Sequence, residues 1–316
     1  MNAKPDKAPS GESGYGSAEY AWSLAHLGDP IWLPNAEGWL LRRRIPGTEL
    51  WDAIGCYPLF TCRDWEFLQF DLSQLTDLVS VTAVVDPLSA ERAGTALASA
   101  FPDLATPYKQ HFLVDLQSDW TSRAPRNHQR NAKKALSQVG VQRCSDPGAE
   151  LGIWCDLYAG LKRRHAISAL ADFPRHSFAQ QLDAPGLVML KATDGTQTVA
   201  MQLWFMQGET AYFHLGASSD DGYRLSAAFA LMWSALHELQ RAGARWATLG
   251  GAPGARASGD ADGLARFKQG WATRVHPAYL CGFISDRPAY DDLIRGIGSS
   301  SFFPAYRSAP ATQGQW

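Results

Sequence analysis

Apolar and polar positions change period many times along this chain, and the changes mark out short elements. WLLRRRI (39–45) and ELWDAI (49–54) are strand-like runs separated by Pro-Gly-Thr, which predicts a hairpin. The spacing over 65–75 is helical, LVSVTAVVD (78–86) is a β-rich run, SAERAGTALASAF opens a helix on Ser89, and HFLVDL (111–116) is a strand. Helical spacing returns over 125–138 and 150–167. LVMLKAT, TVAMQLWFM and TAYFHLGA follow, with turns at Asp194-Gly195 and Gln207-Gly208, predicting an antiparallel meander. A helix over 224–242 stops at Gly243, a strand over 246–249 runs into Gly250-Gly251, and a loop spans 252–260. A short helix (264–269), a strand (279–284) and a helix (289–296) complete the pattern.

Strands and helices in this order predict an α/β (α+β) fold with a mixed sheet flanked by helices. Both halves mix them in related order, as an internal duplication would. The expected boundaries are a disordered tail (1–16), rich in Gly, Ser, Pro and Lys, an α/β domain (17–118), a second α/β domain (119–300) and a final tail (301–316).

Composition narrows the class. The 316 residues are 46% hydrophobic and 19% charged, as in a soluble globular protein with a sizeable core, and twelve tryptophans are expected to fill it. A net charge of −2 argues against a dedicated DNA or RNA binder, so any RNA contact must rest on a local patch. Five cysteines, without CxxC or metal-ligand spacing, read as reduced packing thiols and imply no metal centre. No apolar run approaches the ~20 residues of a spanning helix, and the N-terminal segment has no signal-peptide core. The expected location is cytoplasmic, with peripheral membrane contact at most.

Two basic patches stand out. Arg126, Arg130, Lys133 and Lys134 share one helical face with no acidic residue among them, and Lys162, Arg163, Arg164 and His165 are consecutive. Either patch suits phosphate groups, or is simply a solvated face. Arg224 is expected at a helix start, unfavourable against the macrodipole unless it meets an anion, in a cluster with Asp220, Asp221, Tyr223 and Ser226. Ordinary capping explains that cluster equally well. His214 and Tyr212, two apart on one strand, share a face; His214 is a candidate general base, or a hydrogen-bonded strand histidine. Lys268, between Phe267 and Trp271, suits an anionic group or a developing oxyanion, or is a surface lysine lying over aromatic rings. GGAPGA (250–255) lacks the Lys-Ser/Thr of a nucleotide P-loop.

Several stretches together resemble one family. RNHQRNAKKAL, the VAMQLWF and AYFHLGA pair, ELQRAGARWATLGG, GLARFKQGW, FISDRPAYDDL and FFPAYR fall in the order of the Fem-type branch of the GNAT acyltransferase superfamily over 110–307. The first domain resembles a degenerate GNAT-like domain more loosely, through GCYPL and VSVTAVV. The resemblance implies amide-forming transfer of an aminoacyl group from aminoacyl-tRNA to an amine of a peptide-like or amino-sugar acceptor, with no tightly bound cofactor. It places Lys268 at the reaction centre. His214 and Tyr212 are the further catalytic candidates, Arg224, Tyr223, Ser226, Gly250, Gly251, Phe267 and Trp271 the substrate-binding candidates, and Arg126, Arg130, Lys133 and Lys134 the candidates for tRNA phosphates. It also implies that TAYFHLGA and RWATLGG splay apart so that backbone amides hold the acyl carbonyl. The chain departs from ordinary GNAT enzymes in the turn that grips the CoA pyrophosphate: SSDDGYRLSAAF has one glycine where small residues are needed. An acyl-CoA-dependent N-acyltransferase and a non-catalytic GNAT-like binding module are the alternatives.

Overall fold

The computed structural model describes residues 12–165, 169–251, 260–297 and 302–308. Among them the strands run in order β1 (Asp29–Leu33), β2 (Gly38–Arg44), β3 (Trp51–Gly55), β4 (Ser80–Val85), β5 (Leu104–Asp115), β6 (Gly140–Arg143), β7 (Leu187–Asp194), β8 (Gln197–Gln207), β9 (Thr210–Ser218), β10 (Trp246–Gly251) and β11 (Arg274–Ile284). The helices that matter for the site are α1 (Arg126–Leu136), α2 (Leu151–His165), α3 (Arg175–Leu182), α4 (Asp220–Arg224), α5 (Ala227–Arg241) and α6 (Asp260–Gln269). The expected loop over 252–260 lies outside the described residues except for its last position, which opens α6.

The chain divides into two compact units, 109–276 and a second made of 1–108 with 277–316. The expected division at 118/119 is therefore displaced, and 277–300 is reassigned. The reason is pairing: residues 279–284 of β11 bond antiparallel to β4, from Tyr279↔Val85 to Ile284↔Ser80, so they join the sheet of the first segment.

The flanking unit orders its strands β1-β2-β3-β4-β11. The expected hairpin forms with Leu40 opposite Gly55 and Arg44 opposite Trp51. The helix expected from Ser89 begins two residues earlier, capped by Asp86, and breaks at Gly94, whose φ of 53° no ordinary side chain adopts cheaply. The tails also differ from expectation. Residues 1–11 lie outside the described residues, but Gly14–Gly16 form a buried turn in which Tyr15 meets Tyr20 edge-on at 4.9 Å. Arg307 is tied to Asp52, buried at 1% exposure, by Nε at 2.6 Å and Nη2 at 2.8 Å, while Tyr306 donates to the same carboxylate. A buried carboxylate needs such partners, which is why this C-terminal segment is ordered.

The 109–276 unit orders its strands β5-β10-β9-β8-β7-β6. The β7–β8–β9 meander is antiparallel as expected, and β10 joins β9 in parallel after the crossover through α5. One face of the sheet packs Ala211, Trp204, Ala247 and Leu249 against α5 residues Leu231, Ala235 and Leu239 and α1 residues Ala132 and Ala135. The other face carries an aromatic layer in which Trp154 and Tyr158 of α2 meet Phe178 of α3 edge-on.

Candidate functional site

The parallel ladder between β9 and β10 holds at Trp246↔Thr210, Ala247↔Ala211 and Thr248↔Tyr212, and stops there. A bulge lies just beyond on each strand. On β9 the register against β8 slips between Leu203↔Leu215 and Trp204↔Phe213, leaving His214 as the extra residue. On β10 the register against β5 slips between Thr248↔Leu113 and Gly251↔His111, where Gly250 has φ 72°. A bulge bends its strand and ends local pairing. Two bulges at the same level open the sheet where the backbone amides of both strands are released from each other.

Lys268 sits at this opening. It lies on the last turn of α6, is only 7% exposed, and donates from Nζ to the carbonyl of Gly251 at 2.8 Å. A Cβ built on Gly250 would stand 3.7 Å from Nζ, and the Phe213 ring centroid is 5.9 Å away. Burial pulls its pKa down from 10.5 to about 8, and no carboxylate among the described residues offsets that. An ammonium ion held this way is costly unless a negative group arrives to share the site. Its burial excludes the reading of Lys268 as a surface lysine.

The wall behind Lys268 is aromatic. His128 of α1, 7% exposed, donates from Nε2 to the carbonyl of Phe267 at 3.1 Å, so its Nε2 carries the proton. Its ring meets Phe229 at 5.2 Å and Trp271 at 5.1 Å. Trp271 is 1% exposed and belongs to the core cluster, so it supports α6 and does not line a crevice. Phe267 is half-buried and packs edge-on against Phe229.

The structure does not bring His214 to Lys268. Phe213 faces Lys268 and Trp204, whereas His214 points to the opposite face of β9, against Phe205 and Phe173. There it donates from Nε2 to Gln181 Oε1 at 3.2 Å, and burial lowers its pKa to about 3. Tyr212, opposite Phe205, shares that buried face. The expectation of a Lys268–His214–Tyr212 group is corrected: sheet alternation separates them, and the hydrogen-bonded strand histidine is the better account.

Arg224 is also corrected. It ends the five-residue α4 instead of starting a long helix, and it pairs with Asp221 at 3.0 Å. The macrodipole conflict that called for an anion is therefore absent. The long helix α5 starts at Ala227 after Ser226, which has φ 56° and makes no side-chain cap. Tyr223 is exposed and lies under the Arg164 guanidinium at 4.2 Å. Of the second basic patch, Lys162 pairs with Asp172 and Arg164 with Asp220.

Part of the turn after β9 is already satisfied internally. Ser219 Oγ accepts from Gly222 N at 3.1 Å and donates to Val199 O at 3.2 Å. Gly222 is needed for packing, since a Cβ there would stand 2.2 Å from Val199 O. A groove of ≈ 630 Å³ lies beside this turn, lined by Arg163, Arg164, Thr198, Ser218, Asp156 and Asp220 among others. On α1, His128, Ala132 and Ala135 face inward, leaving Arg126, Arg130, Lys133 and Lys134 exposed. No ion pair engages these four among the described residues. No group of His, Cys, Asp or Glu among the described residues is arranged to hold a metal ion, and the five cysteines are free thiols. No helix among them is long and apolar enough to cross a membrane.

One residue at the opening escaped the sequence reading. His111 on β5, 6% exposed, stands directly across from Gly251. The only signal was its place at the start of HFLVDL, and that strand's pairing with RWATLGG is not legible without the fold.

Residues 122–269 match the family model described as an acetyltransferase (GNAT) domain. The crystal structure of FemX superposes with TM-score 0.64 at 12% identity, covering 87% of this chain and 92% of that one. The C-terminal domain of a putative lysylphosphatidylglycerol synthetase from Agrobacterium fabrum gives TM-score 0.58 at 14% identity, covering 90% and 91%. L-PGS from Bacillus licheniformis gives 0.51 at 13%, covering 93% and 100%. No curated protein sequence matches the chain. The chain thus has a FemX-like α/β fold, as the resemblance implied, and its residues 122–269 are similar to a GNAT domain. Identities this low establish likeness of fold alone.

Proposed function

We propose that this GNAT-fold protein is an N-acyltransferase that moves an aminoacyl group from aminoacyl-tRNA to an amine of a peptide-like or amino-sugar acceptor. The observation that carries acyl transfer is the paired bulge: β9 and β10 stop pairing after Tyr212 and Thr248, and Lys268 sits at the opening. Acyl transfer to nitrogen needs an in-line carbonyl and a donor set for the oxyanion, not a covalent nucleophile. Released strand amides and a buried ammonium ion suit those needs. The acceptor nitrogen attacks the donor carbonyl, an N–C bond forms, the ester C–O bond breaks, and the tRNA hydroxyl leaves with a proton.

Two features favour tRNA over acyl-CoA as donor. The turn after β9 presents the carboxylates of Asp220 and Asp221, and Ser219 Oγ already takes the Gly222 amide, which leaves a diphosphate poorly served. The exposed cations of α1 suit a polyphosphate backbone. FemX, a putative lysylphosphatidylglycerol synthetase domain and L-PGS share this fold. On this reading the flanking unit is a degenerate GNAT-like partner domain, and the protein works in the cytoplasm.

The test is amide formation from radiolabelled bulk aminoacyl-tRNA onto a lysine-bearing pentapeptide or glucosamine. Loss of product after RNase supports the donor assignment. RNase-resistant turnover with acetyl-CoA alone would transfer the assignment to acyl-CoA. Absence of turnover with both donors would leave a binding module as the reading.

A further inference from the structure

His111 and Lys268 bracket a single residue. Lys268 Nζ is bonded to the Gly251 carbonyl at 2.8 Å, and a Cβ on Gly251 would stand 3.2 Å from His111 Cδ2 and 3.4 Å from its Nε2. Any side chain at 251 would therefore press on the imidazole. His111 is more than nine-tenths buried, and its Nδ1 is a buried polar atom with no hydrogen-bond partner among the described residues. A buried orphan of this kind is rare in a resting core, and here it lies next to the strand opening. The other buried histidines of this unit differ: His128 bonds to Phe267 O and His214 to Gln181, each with a structural duty.

From this arrangement we infer that His111 is the proton acceptor for the attacking amine, working beside Lys268 as the cation that meets the oxyanion. The inference rests on the acyl-transfer reading given above. In the step, the acceptor nitrogen bonds to the donor carbonyl carbon and the carbonyl electron pair moves to oxygen, next to the Lys268 ammonium. The proton on nitrogen passes to the His111 imidazole. The tetrahedral adduct then collapses, the bond to the leaving oxygen or sulfur breaks, and that atom takes the proton back from His111. Every proton and electron pair is accounted for, and no further reagent is required.

The electrostatics agree with this division of labour. Burial and then the Lys268 and Lys109 charges lower the His111 pKa to about 4, so the imidazole is neutral and able to accept. Negative charge forming at Lys268 cancels part of that pressure, so His111 becomes more basic as the oxyanion appears.

The experiment compares wild type with His111→Gln and His111→Ala, using acetyl-CoA and bulk aminoacyl-tRNA as donors and glucosamine or a lysine-bearing pentapeptide as acceptor. Thermal unfolding is followed in parallel. Loss of kcat by about a hundredfold or more with KM little changed, and recovery of the Ala variant by added imidazole, is the expected result. Recovery by imidazole is a response that a packing residue cannot give, and it decides the matter even if the Gln variant folds poorly. A His111→Gln enzyme within about threefold of wild-type kcat, or an Ala variant indifferent to imidazole, overturns the assignment of His111 and leaves acyl transfer standing. A wild-type protein inert with both donors instead overturns the acyl-transfer reading itself, and this inference with it.

Discussion

His128 donates to the carbonyl of Phe267, one residue before Lys268, and so fixes the last turn of α6 to α1. Gly270 makes this contact feasible, because a Cβ there would stand 2.1 Å from His128 Nε2. Gly270→Ala should displace the imidazole, destabilise the protein by about 1–3 kcal/mol and lower kcat/KM. Thermal unfolding and turnover measured together check this. Unchanged values for both would mean that Lys268 is positioned some other way.

Lys268 itself should show a trade-off between stability and activity. Its folded pKa of about 8 lies below the unfolded value of 10.5, so the unfolded chain binds the extra proton between those limits. The penalty of burial is present in full below about pH 8 and fades as pH rises towards 10.5. Lys268→Met removes it, partly offset by the lost hydrogen bond to Gly251, for a gain of about 1–3 kcal/mol near neutral pH. The same variant should lose more than about tenfold in kcat. Wild-type kcat should also decline above about pH 8, as the ammonium deprotonates. Denaturant titrations and pH–rate profiles on both proteins provide the check, and a Met variant with wild-type kcat removes Lys268 from the chemistry.

His214 predicts acid behaviour of a different origin. With a folded pKa near 3 against 6.5 unfolded, stability is complete above pH 6.5 and is lost as pH falls towards 3. His111, at about 4, contributes in the same direction. His214→Gln should lessen the slope of stability against pH between those limits while keeping neutral-pH turnover within about twofold. A large loss of kcat at unchanged stability would return His214 to the reaction.

The exposed face of α1 makes a salt prediction. Reversing Arg126 and Arg130 to Glu should weaken tRNA binding, and each lost phosphate contact should reduce the slope of log K against log salt by about 0.9 for duplex regions. Binding measured across a salt series decides it, with acetyl-CoA turnover as the control. A slope unchanged by both substitutions would make this a solvated face.

Much of the fold was legible because local pattern and tertiary environment agree. The β7–β8–β9 meander has its turns at Asp194-Gly195 and Gln207-Gly208, with Gly195 and Gly208 both at positive φ as such turns demand. Lys268 stood out through the resemblance of GLARFKQGW to the family, since its aromatic neighbours alone fit a surface lysine as well. What escaped depends on pairings between distant segments. His111 gains its meaning only opposite Gly251, and β11 was assigned to the wrong unit because its partner β4 lies far away in sequence. Arg224 was misjudged because the backbone reverses at Ser226, and a positive φ at serine has no sequence signature.

The extra residue at His214 turns the opening between β9 and β10 into a matter of counting. With one residue fewer, Phe213 opposite Trp204 and Leu215 opposite Leu203 would become consecutive pairs, and the ladder with β8 would run without a break. A single-codon deletion there is therefore a more telling lesion than any point substitution. It spares every side chain named at Lys268 and Gly251, yet lets β9 straighten alongside β10 and close the gap between them. The geometry of this opening is stored partly in chain length, a property that comparison of residue types alone does not register.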